Sequence, residues 1–232
     1  MPMSKLLLKI RQKFQKNADC REILKFSGAS TSQNAQDVFV LSTLGFKREG
    51  YFVEFGAADG VKFSNTWLLE KKFGWSGIVA EPAKSWHPAL KKNRGCTIDY
   101  RCVWSVSGER MNFIDSSQPL LSTLEAFEHS DGRERRSGSD VYTVDSVSLT
   151  DLLREHNAPQ TIDYLSIDTE GSEFDILRNF DFSTYAIRVI TVEHNYTSNR
   201  QKIFELLSTL GYERRFEGIS GADDWYVLPS AL

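Results

Sequence analysis

The chain has 232 residues, with 28 basic and 31 acidic side chains and a formal charge of −3. That length suits one large α/β domain with a two-sided core, and the near-even balance lacks the basic excess of a nucleic-acid binder, so no nucleic-acid partner is expected. No apolar run is long enough to span a bilayer, and the three cysteines, Cys20, Cys96 and Cys102, match no zinc spacing, so free thiols in a reducing cytoplasm are expected.

Residues 1–27 read as helical. Lys5, Lys9, Arg11, Lys13 and Lys16 surround an apolar face of Leu6, Leu7, Ile10 and Phe14. This pattern fits an accessory helix packed on the domain or on a second copy in a homo-oligomer. It also fits a basic amphipathic helix, residues 1–16, resting peripherally on an anionic membrane. The expected organisation is an accessory segment, 1–30, followed by one domain, 31–232. After the small-residue break at 28–32, the spacing predicts a helix from Ala35 to Leu44, with Gly45 as its stop.

Short apolar runs then alternate with helical stretches. Strands are expected at Tyr51–Phe55, Gly77–Ala80 and Thr97–Val103, with helices at Asn65–Lys72 and Ser85–Asn93 between them. Met111–Ile114 reads as a short strand outside this rhythm. Residues 119–140 are polar and charged and read as a long loop, either a solvated insertion or a binding loop. Within the wider segment 115–140, Arg133, Arg135 and Arg136 are candidate contacts for an anionic acceptor group. The rhythm resumes with helix Leu149–His156, strand Ile162–Ile167, helix Ser172–Asn179, strand Ile187–Val192 and helix Arg200–Leu210. Strands at Tyr212–Phe216 and Trp225–Leu228 have no helix between them and predict a C-terminal antiparallel hairpin. The alternation as a whole predicts a mostly parallel sheet with helices on both faces.

The first strand runs into Val53-Glu54-Phe55-Gly56-Ala57-Ala58-Asp59-Gly60. Gly56 and Gly60 permit unusual dihedrals and a close backbone approach. The spacing differs from the three-glycine dinucleotide fingerprint. Asp59 would set a carboxylate where a pyrophosphate would lie, whereas a sulfonium cofactor with a cationic tail tolerates acids. Glu81 ends the second strand, roughly 20 residues on, where an acid can accept both ribose hydroxyl hydrogen bonds.

Three segments resemble the FkbM family of methyltransferases. They are Ser32-Gln33-Asn34-Ala35-Gln36-Asp37; Glu54 to Gly60 with Ser64-Asn65-Thr66 and Gly74-Trp75-Ser76-Gly77; and Asp163 to Glu173. The resemblance implies a Rossmann-like class I methyltransferase with a seven-stranded sheet. It implies S-adenosylmethionine as cofactor and O-methylation of a sugar, polysaccharide or glycosylated natural product. The expected cofactor-binding residues are Gln33, Glu54, Gly56, Ala57, Asp59, Gly60, Asn65, Glu81 and Asp168.

Methyl transfer is an in-line displacement that needs a held nucleophile and, for a hydroxyl, a proton acceptor. Asp168 ends the fourth core strand, and Glu193, His194 and Asn195 end the fifth. Asp168, His194 and Glu170 are the catalytic candidates. Asp168, Glu193 and Asn195 also resemble the magnesium-binding arrangement of catechol-type O-methyltransferases and offer hard oxygen ligands for magnesium or manganese. His194 departs from that pattern, since imidazole suits base catalysis or a softer metal. Glu173 reads as an acid placed against a helix N-terminus. Two other classes stay open: a nicotinamide-dependent oxidoreductase and a non-catalytic nucleoside-binding module. The first is disfavoured because no tyrosine has a lysine four residues on.

Overall fold

The computed structural model describes residues 26–116, 122–127, 140–218 and 220–232. The expected N-terminal helix up to residue 25, Cys20, and Arg133, Arg135 and Arg136 lie outside the described residues. The elements in chain order are α1 (Gln36–Thr43), β1 (Tyr51–Phe55), α2 (Trp67–Phe73), β2 (Ser76–Ala80), α3 (His87–Asn93), β3 (Thr97–Asp99), β4 (Cys102–Trp104), β5 (Arg110–Asp115) and β6 (Thr123–Leu124). They continue with β7 (Asp140–Ser148), α4 (Leu149–Glu155), β8 (Thr161–Ile167), α5 (Glu173–Arg178), β9 (Ala186–Glu193), α6 (Asn199–Thr209), β10 (Glu213–Arg215) and β11 (Asp223–Val227).

The main sheet has seven strands in the order β3-β2-β1-β8-β9-β11-β10. The first five are mutually parallel, while β11 runs antiparallel to both β9 and β10. Strand alternation divides the core in two. Phe52, Val79, Tyr164 and Val189 face α1, α2 and α3 through Val38, Leu68 and Leu90. Val53, Ile78, Leu165 and Ile190 face α4, α5 and α6 through Leu152, Ile176 and Ile203. The central strands are therefore apolar at nearly every position, as a sheet covered on both faces requires. Asp163 pins the start of β8, its carboxylate accepting from Lys47 Nζ at 2.7 and 2.8 Å and from the Tyr51 amide at 2.9 Å.

Two features depart from the sequence reading. The expected third strand divides: β3 stays in the main sheet, and β4 joins a second, four-stranded sheet ordered β4-β7-β5-β6. Its longest member, β7, occupies residues that the sequence reading gives no element, and β6 lies inside the segment read as loop. β7 is a half-buried strand in which Val144 and Ser146 face inward between exposed Thr143 and Asp145. Its period-2 signal is diluted by polar residues. The small sheet closes its own apolar cluster, with Ala83, Cys102, Phe113, Leu124 and Val144 buried together. Tyr142 joins it to the β2–α3 loop, accepting from the Lys84 amide at 2.7 Å and donating to Asp115 at 2.8 Å.

Candidate active site

β1 and β8 are neighbours whose helical connections leave toward opposite faces, and in open α/β sheets this is where a crevice opens at the carboxyl ends of the strands. A cavity of about 250 Å³ lies there. Its making depends on Gly56, with φ at +77°. A Cβ at that position would sit 2.0 Å from the Asp168 carbonyl oxygen, so only glycine lets the β1 and β8 turns approach this closely.

Glu81 follows β2 and lines the cavity. Oε2 accepts from the Ala58 amide and Oε1 from the Ala83 amide, each at 2.9 Å. Two backbone donors fix the carboxylate and leave one acceptor direction on each oxygen. Burial pushes this acid up to about 7, against the pull of those two amides. A ligand that donates two hydrogen bonds, such as a ribose diol, would restore what burial removes.

Across the cavity the carboxyl groups of Asp168, Glu170 and Glu193 converge, each offering an oxygen within 4.8 Å of the others. Asp168 and Glu193 are close enough for their charges to act on each other. Burial first, and then the negative charge of Asp223, pushes Asp168 up to about 7. Burial first, and then Asp168, drives Glu193 well above the ordinary carboxylate range. Such a group of acids retains a proton near neutrality because like charges this close resist joint ionisation. Glu170 and Gly171 adopt positive φ values of +59° and +133°, and β6 braces this turn through the Thr123 hydroxyl, which donates to the Glu170 carbonyl at 3.1 Å. Strained backbone held by its surroundings is a common property of functional turns.

The structure brings Gln33, Gly56, Glu81, Asp168, Glu170 and Glu193 to the cavity wall. Others from the same motifs go elsewhere. Glu54 is buried beneath it, accepting from Ser64 Oγ, the Asn65 amide, Thr66 Oγ1 and Arg94 Nη1 at 2.5–3.2 Å. Asn65 donates to Ser166 Oγ at 2.9 Å, and Asp59 caps its own turn through the Val61 and Lys62 amides. Ala57 is buried, and a Cβ on Gly60 would meet Arg94 and Leu90, so these two serve the packing of the turn. Glu173 Oε1 accepts from the Thr169 and Gly171 amides at 3.1 and 2.9 Å, holding the turn before α5.

His194 and Asn195 also differ from expectation. Alternation along β9 turns Glu193 to the cavity and His194 to the other face, where its Nε2 lies 3.8 Å from Asp224 Oδ1. Nδ1 accepts from the Tyr196 amide at 3.0 Å. Asn195 presents nitrogen rather than oxygen to the acids: Nδ2 donates to Glu193 at 2.7 Å and to Glu170 at 3.3 Å. The oxygen cluster is thus Asp168, Glu170 and Glu193, with Asn195 as a bracket. Sequence reasoning missed the lining residues Lys62, Phe63, Trp86, Phe113, Leu124 and Thr169. Lys62 and Phe63 were findable from their place just after the glycine turn. Phe113 and Leu124 were not, because they arrive on the small sheet.

The strand order, the terminal hairpin and the crevice together define a class I methyltransferase-type Rossmann-like fold. The family model for the methyltransferase FkbM domain matches residues 54–216, and the chain belongs to that family of methyltransferases. No curated protein matches it. Among solved structures it is similar to a TehB-like SAM-dependent methyltransferase from Corynebacterium glutamicum, at 8% identity and a TM-score of 0.42, covering 95% of each chain. It is also similar to a chain of a fibrillarin/Nop5p complex, at 11% identity and a TM-score of 0.38, covering 84% of this chain and 79% of that one. Among the described residues no helix is long and apolar enough to cross a membrane.

Proposed function

We propose that this methyltransferase uses S-adenosylmethionine to O-methylate a hydroxyl of a sugar, polysaccharide or glycosylated natural product. The observation that carries the cofactor reading is Glu81, a buried carboxylate braced by two backbone amides in the lining of the cavity. The donor set fits the group: an acid for a ribose diol, apolar residues of the small sheet for a nucleobase, and further acids for the cationic part. A pyrophosphate would meet like charge from Glu81, Asp168, Glu170 and Glu193, against the single positive charge of Lys62 among the described lining residues. The free thiols Cys96 and Cys102 keep the cytoplasm as the compartment of this reading.

When bound, S-adenosylmethionine supplies an electrophilic methyl group, so no covalent enzyme intermediate is needed. The protein's part is to orient the acceptor hydroxyl and to take its proton. Asp168, in its ionised form, accepts that proton, while Glu193 and Glu170 set its charge and Asn195 holds their side chains in place. A second reading rests on the same three carboxyl groups, whose oxygens would suit magnesium or manganese. Chelation separates the two: activity that persists in excess chelator rejects the metal, and loss restored by added magnesium or manganese rejects the metal-free base.

The test of the cofactor reading is calorimetry with S-adenosylmethionine and with NAD. The protein should bind the first and not the second. Glu81→Ala should weaken binding by about tenfold to a hundredfold, the loss expected for hydrogen bonds to a charged group. Unchanged affinity would remove Glu81 from the site.

A further inference from the structure

Among the described residues, the charged side chains lining the cavity are Glu81, Asp168, Glu170, Glu193 and one cation, Lys62. On the reading above, the cofactor's sulfonium and ammonium suit this acidic wall, but its own carboxylate does not. Among the described lining residues, Lys62 alone offers it an opposite charge. The lysine has no ion pair among the described residues; its ammonium lies over the Phe63 ring, 5.1 Å from the centroid. A cation on an aromatic face keeps its hydrogen-bond donors available.

The backbone around Lys62 is held by several hydrogen bonds. Its amide and that of Val61 both donate to Asp59 Oδ1, at 2.7 and 2.8 Å. The next residues are sewn to the segment before α1: the Phe63 amide donates to the Thr31 carbonyl at 3.0 Å, and Thr31 Oγ1 donates to the Ser64 carbonyl at 3.2 Å. That segment is held in turn by Asp37, which accepts from Ser30 Oγ and Ser32 Oγ at 2.6 and 2.7 Å. Gln33, the next residue along it, lines the same cavity. The bridge between Ser32 and Phe63 sets Gln33 and Lys62 on neighbouring segments of the lining, and neither belongs to the apolar cluster of Trp86, Cys102, Phe113 and Leu124.

We infer that Lys62, with Gln33 beside it, binds the carboxylate of the cofactor's amino-acid tail and so fixes which end of the cavity that tail enters. The inference rests on the S-adenosylmethionine reading. The carboxylate would be held by a cation and an amide donor in a cavity whose other described charges are acidic, an arrangement that favours one orientation of the zwitterion.

The experiment is a cycle of two changes read by calorimetry. One removes the lysine charge, in Lys62→Met. The other removes the ligand charge, using decarboxylated S-adenosylmethionine. On the wild-type protein, loss of the ligand carboxylate should weaken binding about tenfold, the order expected for a partly exposed charged hydrogen bond, with the difference shrinking as salt rises. Lys62→Met should weaken S-adenosylmethionine by a similar factor and leave the decarboxylated ligand unchanged or tighter. Lys62→Arg should retain most of the affinity. Equal affinity of wild type for both ligands, or equal losses for both in Lys62→Met, overturns the assignment while the cofactor reading stands. Failure of wild type to bind S-adenosylmethionine at all overturns the cofactor reading and this inference with it. Because Lys62 is exposed, the variant should melt as the wild type does, so a binding loss cannot be assigned to unfolding.

Discussion

Glu54 and Glu81 stand at the ends of adjacent parallel strands and are almost equally buried, 2% and 5% exposed, yet their surroundings are opposite. Glu54 is enclosed by side-chain and backbone donors, with Arg94 as counter-charge. Among the described residues, Glu81 has two amides and no cation as carboxylate partners, and it lines the cavity. The difference teaches that burial alone does not mark a ligand site. What marks it is a buried acid whose partners are too few for its lone pairs. By that criterion Glu81 belongs with the proposed ligand site, beside the carboxyl cluster of Asp168, Glu170 and Glu193, and the Glu54–Arg94 assembly beneath β1 belongs to the framework.

The largest effect should come from the functional side. Asp168→Asn keeps the shape but removes charge and basicity. Turnover should fall by about 10²–10⁴-fold, the usual range for a lost general base, with cofactor affinity changed far less. Single-turnover kinetics beside calorimetry would check this. A full-rate Asp168→Asn enzyme would remove the residue from the chemistry.

On the structural side the effect should appear in stability. The Arg94 side chain is fully enclosed and ion-pairs with Glu54 at 3.2 Å and Glu70 at 2.6 Å. It also donates to Thr66 Oγ1 at 2.7 Å. Arg94→Met would leave Glu54 buried without its counter-charge, a loss of about 3–5 kcal/mol. Urea denaturation should show it as a lower midpoint. A variant that unfolds like wild type but loses cofactor binding would erase the distinction between the two regions.

These contrasts also show what the sequence could carry. The β1 strand, its glycine turn and the acid ending β2 follow from local pattern, because a parallel strand and the turn after it are encoded in adjacent residues. Asp168 and Glu193 follow from the same rule applied to β8 and β9. What local pattern cannot supply is which side a strand-end residue faces, since one position exchanges Glu193 for His194. Nor can it supply long-range partners. The small sheet that brings Phe113 and Leu124 over the cavity depends on pairing β5 with β7, whose paired residues lie up to 35 positions apart, from Arg110 to Asp145. The role of Ser32-Gln33-Asn34-Ala35-Gln36-Asp37 is also hidden in the sequence. The segment is a strap: Asp37 holds Ser30 and Ser32, and Gln36 donates to Asp223, the acid whose charge reaches Asp168.

A smaller effect should separate the regions by pH. Glu81 and Asp168 rise from ordinary values of 4.5 and 3.8 to about 7 in the folded protein. The empty folded state therefore holds protons that the unfolded chain has released. Stability from this source is fully present below the ordinary values and is lost as pH rises toward about 7. Cofactor affinity should run the other way. A cationic ligand and a ribose diol both favour ionised acids, so binding should tighten with pH up to about 7 and level off above it. Calorimetry at pH 6 in buffers of different ionisation enthalpy should report proton release on binding. Proton uptake, or affinity flat from pH 5 to 8, would contradict the assignment of these two acids to the ligand.

The smallest effect on turnover is expected at His194, one of the candidate bases read from the sequence. Its ring is buried on the face opposite the cavity, next to Asp224, which is itself bound by Arg200 at 2.8 and 2.9 Å. Burial lowers its pKa, so the ring is neutral at physiological pH, and its acceptor nitrogen is occupied by the Tyr196 amide. That contact holds a turn in which Asn195 and Tyr196 both have positive φ, +43° and +57°. The ring therefore supports the turn that carries Asn195, and it is not among the described residues that line the cavity. His194→Gln should cost about 1 kcal/mol of stability, the worth of one hydrogen bond. Turnover should stay within about twofold of wild type, with its pH profile unmoved. If the variant keeps its melting temperature but loses the basic limb of the pH profile, the histidine takes part in proton transfer, and the division between cavity face and far face fails at the end of β9.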